Sequence, residues 1–268
     1  MSTYIAITTK DRTWHLALTM WCLVHNGVPT GTRIAISSGG EDLSSDTLWK
    51  HKLLDRLKSK GYIHDVYWGK LDVIDNHLFM VKKFLDSGCD LYIHMDDDII
   101  VDRGVLSELV FDYQSLCKEG GVLHLFRNSW ARGKPINFTF DRITSIGWAA
   151  FCTSRTTMQK VDWQTIYDPA LGNHEKCAPL WFSELEKHNL PNLGRWNPPY
   201  RCQHTGNMHS TLYGYQPSWE SAWSRDAKGN IVQFASLSIP QLRLILQRNQ
   251  LQDYVRFLDR STGNILGL

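Results

Sequence analysis

Short apolar runs alternate with longer helical patterns through roughly the first hundred residues, and this alternation constrains the fold more than any other feature of the chain. Tyr4–Thr8 reads as a short buried strand. A helical pattern through Leu16, Met20 and Leu23 follows and stops near Asn26-Gly27, with Pro29 behind it. Arg33–Ile36 predicts a second strand, Ser45–Lys60 an amphipathic helix ended by Gly61, and Asp65–Trp68 a third strand. Asn76–Asp86 predicts a third helix closed by Ser87-Gly88, and Leu91–Met95 a fourth strand. Strands and helices in this order predict parallel strands with crossover helices, an α/β domain of the nucleotide-binding type.

In such sheets ligands bind at the carboxyl ends of the strands. Three polar clusters fall there: Thr9–Arg12, Ser37–Asp42 and Asp96–Asp98. The last is the most demanding. Three adjacent carboxylates repel one another and resist dehydration, yet one apolar run leads into them and another, Ile99-Ile100-Val101, leads out. A divalent cation relieves that repulsion. On an extended backbone Asp96 and Asp98 point the same way and share one ion. The bland alternative is a solvated acidic turn, which rarely has apolar runs on both sides.

The second half is less regular. Leu106–Lys118 and Leu180–His188 read as helices, and Gly121–Phe126 and Ile143–Thr153 as strands. Arg127–Phe140 is a polar and aromatic excursion, and Trp196–Leu212 is loop-rich. Pro240–Arg260 predicts a helix along which Arg243, Arg248, Arg256 and Arg260 form a solvated face. One domain is expected, divided into a regular half at 1–102, a less regular half at 103–215 and a helical tail at 216–268.

A net charge of +2 gives no general electrostatic case for nucleic acid. The six cysteines form no Cys-x-x-Cys pair, which argues against a zinc knuckle and for reduced thiols in the cytoplasm. Lys10, Asp11 and Arg12 interrupt any signal-peptide pattern, and no window is long enough to span a membrane.

These residues resemble glycosyltransferases of the GT-A fold, most closely the family-2-like group. Thr9-Lys10-Asp11-Arg12 stands where that group has Thr-Tyr-Asn-Arg after its first strand. Ile34–Asp42 stands where it has an apolar strand and Asp-Asp-Gly-Ser-x-Asp, with Ser38 in place of the carboxylate that contacts the base. Asp96-Asp97-Asp98 looks like the metal-holding Asp-x-Asp element, and Cys202–Ser210 resembles a Gln-His-x-Gly segment whose histidine is a third metal ligand.

The resemblance implies Mn²⁺ or Mg²⁺ held by Asp96, Asp98 and His204, with His209 in reserve. It implies a donor, most simply a UDP-sugar, contacted by Thr9, Asp11, Arg12, Ser38, Asp42, Lys82, Lys83, Asp96 and Asp97. An inverting reaction needs a carboxylate base at the acceptor hydroxyl. Glu175 stands in the comparable place, with Asp141 and Asp168 as alternatives. Trp130, Trp148 and Trp196 would line the acceptor side, while Trp181 belongs to the core. The acceptor stays open: a glycan, a protein side chain, a small molecule or a hydroxymethylated DNA base. Two other classes compete. A nucleotidyltransferase shares the acidic crevice but usually has a Gly-rich loop after its first strand, absent here. A non-catalytic nucleotide-sugar-binding module would survive Asp98→Ala with binding merely weakened.

Overall fold

The computed structural model describes residues 1–9, 13–39, 45–69, 73–125, 133–143, 150–171, 176–195 and 200–204. Strands β1 (Thr3–Thr9), β2 (Thr32–Gly39), β3 (Asp65–Gly69) and β4 (Leu91–Asp96) lie parallel in the order β3-β2-β1-β4. Helices α1 (Thr13–Asn26), α2 (Ser45–Ser59) and α3 (Val73–Ser87) connect them in turn. The elements match the sequence expectation, with α3 starting at Val73 rather than Asn76.

Strand β1 explains the continuous apolar runs. Ile5 and Ile7 join one core with Leu16, Met20 and Leu23 of α1, Leu53 and Leu57 of α2, and Leu106 and Leu109 of α4 (Val105–Leu116). Tyr4 and Ala6 face the other core with Met80 and Phe84 of α3, Met158 of α5 (Arg155–Lys160), Ile166 of α6 (Trp163–Ile166) and Trp181 of α7 (Cys177–Lys187). A sheet with helices on both faces must be apolar on both.

Beyond β4 the sheet becomes mixed. Strand β9 (Ala150–Ser154) lies antiparallel to both β4 and β6 (Val122–His124). Next come β10 (Asn192–Arg195), parallel to β6, and the hairpin of β7 (Lys134–Pro135) and β8 (Phe140–Arg142). One nine-stranded sheet therefore crosses the expected boundary at residue 102. Of the predicted Ile143–Thr153 strand, residues 150–153 lie in β9 and Ile143 lies outside it, while 144–149 are outside the described residues. Within the loop-rich stretch, Cys202–His204 forms β11, which pairs antiparallel with β5 (Ile99–Val101). The predicted helix over Pro240–Arg260 lies outside the described residues.

Gly121 sits where the chain enters β6, at φ +133°, and a Cβ there would lie 2.6 Å from the Pro191 carbonyl oxygen. Gly121→Ala is expected to destabilise the fold by about 1–3 kcal/mol through backbone strain and displacement of Pro191, measured as a lower urea midpoint at unchanged slope.

All six cysteines are free and buried. Burial pushes the Cys22 and Cys117 thiols up to about 12 and Cys152 well above its ordinary value. Thiols held protonated are poor nucleophiles. The folded protein is expected to react negligibly with a disulfide reagent at pH 8 and to release six equivalents only after unfolding. Among the described residues no helix is long and apolar enough to cross a membrane.

Candidate nucleotide and metal site

The carboxyl ends of the parallel strands bring the predicted clusters into register. Thr8 pairs with Asp96, Thr9 with Ser38, and Ser38 with Trp68. Strand β4 ends at Asp96, and residues 97 and 98 form a turn into β5. The extended alternation assumed for Asp96 and Asp98 therefore does not run through the triplet, because a turn resets side-chain direction.

The three carboxylates have different surroundings. The Asp96 side chain is 27% exposed, and its Oδ1 lies 3.1 Å from Nε2 of the fully buried His94. Asp97 and Asp98 are buried. Asp97 Oδ2 accepts a 2.6 Å hydrogen bond from the Thr9 hydroxyl. The Thr19 hydroxyl, from α1, is 2.8 Å from the Asp97 carbonyl oxygen and 2.9 Å from that of Ile99, fixing the turn. Charge-assisted bonds of this kind are the stronger ones and hold a carboxylate in place.

A side-chain cluster lies on the α3 face of β4. His77, from α3, is 4.4 Å ring to ring from His94 and stacks parallel on Tyr167 at 5.5 Å. His94 also packs against Phe151 of β9 at 5.4 Å. His77, His94 and Asp96 together offer three ligand atoms within 4.8 Å of one another. Burial raises the Tyr167 phenol pKa, and the nearby Tyr92 and Asp96 push the same way, so the phenol stays protonated. At the far end of α3, Arg155 clamps the helix: its Nη1, Nη2 and Nε donate to the carbonyls of Leu85, Phe84 and Cys89 at 2.7, 3.0 and 2.8 Å.

Other predicted residues are placed as follows. Ser38 is buried at the end of β2, and its hydroxyl has no partner among the described residues. Lys82 is exposed, and the Lys83 ammonium lies 5.3 Å from each of the Tyr67 and Phe79 ring centroids. Both follow His77 along α3 by about 8–9 Å at 1.5 Å per residue. Asp141 is buried on β8, in a row of paired residues running Asp141–Gly194–His124–Phe151–His94. Asp168 is exposed and accepts from the Ala170 amide at 2.9 Å, a turn-forming role. The β11 backbone sets residue 204 opposite Ile99, next to the aspartate turn, while the His204 side chain lies outside the described residues. Asp11, Arg12, Asp42, Trp130, Trp148, Glu175, Trp196 and His209 also lie outside them.

Sequence reading passed over His77 and His94. His94 was absorbed into an apolar run. Its spacing of two from Asp96 is the usable signal, since such residues share a face of a strand. Nothing local in the sequence marks His77.

No family model matches the chain, and no curated protein matches its sequence. Among solved structures it is similar to GalNAc-T7 with UDP, GalNAc and Mn²⁺, at TM-score 0.57 and 14% identity, covering 76% of this chain and 44% of that one. It is also similar to S. aureus TarS 1–349 at TM-score 0.51 and 14% identity, covering 73% of this chain and 57% of that one. For the same TarS fragment in complex with UDP-GlcNAc, the values are 0.50 and 12%, with 75% and 57% covered. The chain thus spans about half the length of these structures. Its central sheet with helices on both faces has the GT-A fold of nucleotide-sugar glycosyltransferases.

Proposed function

We propose that this chain is a metal-dependent glycosyltransferase that moves a sugar from a UDP-sugar to an acceptor hydroxyl with inversion. The observation that carries the reading is the position of Asp96, a partly exposed carboxylate at the carboxyl end of a central parallel strand. Ligands of such sheets sit at that edge. The likeness in fold to structures holding UDP, UDP-GlcNAc and Mn²⁺ supports the choice of donor.

Carboxylate donors suit Mn²⁺ or Mg²⁺, and one imidazole tilts the choice toward Mn²⁺. Asp96, Asp98 and His204 are assigned as the residues that hold the ion, which when bound stabilises charge on the leaving diphosphate. Thr9 keeps Asp97 fixed, so the triplet keeps its shape as ligands come and go. Ser38, with its hydroxyl unpartnered among the described residues at the end of β2, is assigned to the donor nucleoside together with Asp11, Arg12 and Asp42. Glu175 is assigned as the base that takes the acceptor proton, and Asp141, buried in the sheet, is its alternative. Trp130, Trp148 and Trp196 are assigned to the acceptor.

The deciding experiment is a panel of UDP-, GDP- and dTDP-sugars with and without Mn²⁺, read by thermal shift and by release of nucleoside diphosphate. A UDP-sugar is expected to raise the melting temperature and to be turned over only with the ion. Silence across the whole panel would sink the reading. Acceptor classes are then screened with the responding donor.

A further inference from the structure

We propose that His77, His94 and Asp96 form a binding site for a borderline transition-metal ion of the zinc class, selective against Mg²⁺. The site goes beyond the sugar-transfer reading, because it needs neither nucleotide nor the Asp98–His204 pair. Two independent elements supply it: α3 gives His77, and β4 gives His94 and Asp96.

The spacing is close to what such an ion requires. Zinc-type bonds of about 2.0–2.2 Å in tetrahedral geometry put ligand atoms about 3.4 Å apart. His94 Nε2 and Asp96 Oδ1 are 3.1 Å apart, and all three ligand atoms lie within 4.8 Å.

The surroundings favour an ion over a simple hydrogen bond. His94 is fully buried, and its other nitrogen, Nδ1, has no partner among the described residues. Among the described residues Asp96 is thus the ring's polar anchor, and an ion between them would tie down a buried imidazole more firmly. His77 is 5% exposed, and Tyr167 and Phe151 pack on the two imidazoles and hold their planes. The partly exposed Asp96 is the side from which an ion would enter. Three protein ligands with one position open is the pattern of reactive rather than purely structural zinc-type sites. Two imidazole nitrogens and one carboxylate oxygen select Zn²⁺, Co²⁺ or Mn²⁺ over Mg²⁺, which takes oxygen ligands and keeps its water.

The test uses the full chain without nucleotide, titrated with Co²⁺ and followed by its visible ligand-field bands. Saturation at one equivalent is expected, with displacement by Zn²⁺ and none by Mg²⁺. His77→Ala and Asp96→Asn should each weaken Co²⁺ binding by at least ~10-fold, while His188→Ala, at the end of α7, should leave it unchanged. His94→Ala is set aside as the primary variant because the residue is in the core; His77→Ala keeps the test decisive if the His94 variant does not fold. Absent bands in the wild type, or bands unchanged in His77→Ala, would overturn the site. Failure of the UDP-sugar panel leaves this result standing, and failure here leaves the ion assigned to Asp96, Asp98 and His204 to be decided by that panel; His77→Ala is the variant that separates the two, because His77 belongs to this cluster alone.

Discussion

Asp96→Asn is expected to cut metal-dependent release of UDP from a sugar donor by about 10²- to 10³-fold, with the loss mainly in kcat. The substitution keeps the shape of the side chain and removes its charge. It also keeps an amide oxygen within reach of His94 Nε2, now 3.1 Å from Asp96 Oδ1. Asp96 is the triplet carboxylate with 27% side-chain exposure, so stability should change by less than ~1 kcal/mol. The same exchange at Asp97 would be a poor probe. That carboxylate is buried against Thr9, and its loss would mix stability with chemistry. Steady-state kinetics at saturating Mn²⁺, with a melting curve on the same preparation, separate the two effects. Turnover retained within threefold would remove Asp96 from the reacting site.

The second large effect is structural. Trp181 is fully buried on α7, edge-on to Trp163 at 4.6 Å and to Phe151 at 5.7 Å. Trp181→Ala removes the largest fully buried side chain and leaves a cavity that the rigid rings of Trp163 and Phe151 cannot refill. The expected cost is about 3–5 kcal/mol. Urea unfolding would show it as a fallen midpoint. A loss below ~1 kcal/mol would mean that the helices α6 and α7 repack, contrary to the tight edge-to-face geometry. Phe151 also touches His94, so a weakened Co²⁺ affinity in this variant would register loosening at the metal cluster.

The parallel half of the fold was legible because each element has its own signal. Tyr4–Thr8 is apolar and β-branched, the α1 pattern has its helical period, and Asn26-Gly27 stops it. The orientation of β9 was not legible. A short run such as Ala150-Phe151-Cys152-Thr153 carries no mark of direction, and only pairing with β4 and β6 sets it. Strand β11 escaped for a similar reason: three residues beside β5 are too few for a period. At the site, the acidic triplet announced itself by charge between apolar runs, but its internal division did not. Whether a carboxylate meets Thr9, His94 or solvent depends on the turn at residues 97 and 98, which the aspartates themselves do not reveal.

The wedging of β9 between β4 and β6 has a consequence for how the chain acquires its structure. Strands β1 to β4 and their helices are complete by residue 96, yet the second edge of β4 is closed only when residues 150–154 arrive. Until then Leu91–Met95, apolar on both faces, is an open edge able to template pairing with another chain. The strand that ends in Asp96 is therefore the point where synthesis and assembly are most exposed to aggregation. Closing it is a long-range step, and pairings of that kind are the slow ones in folding.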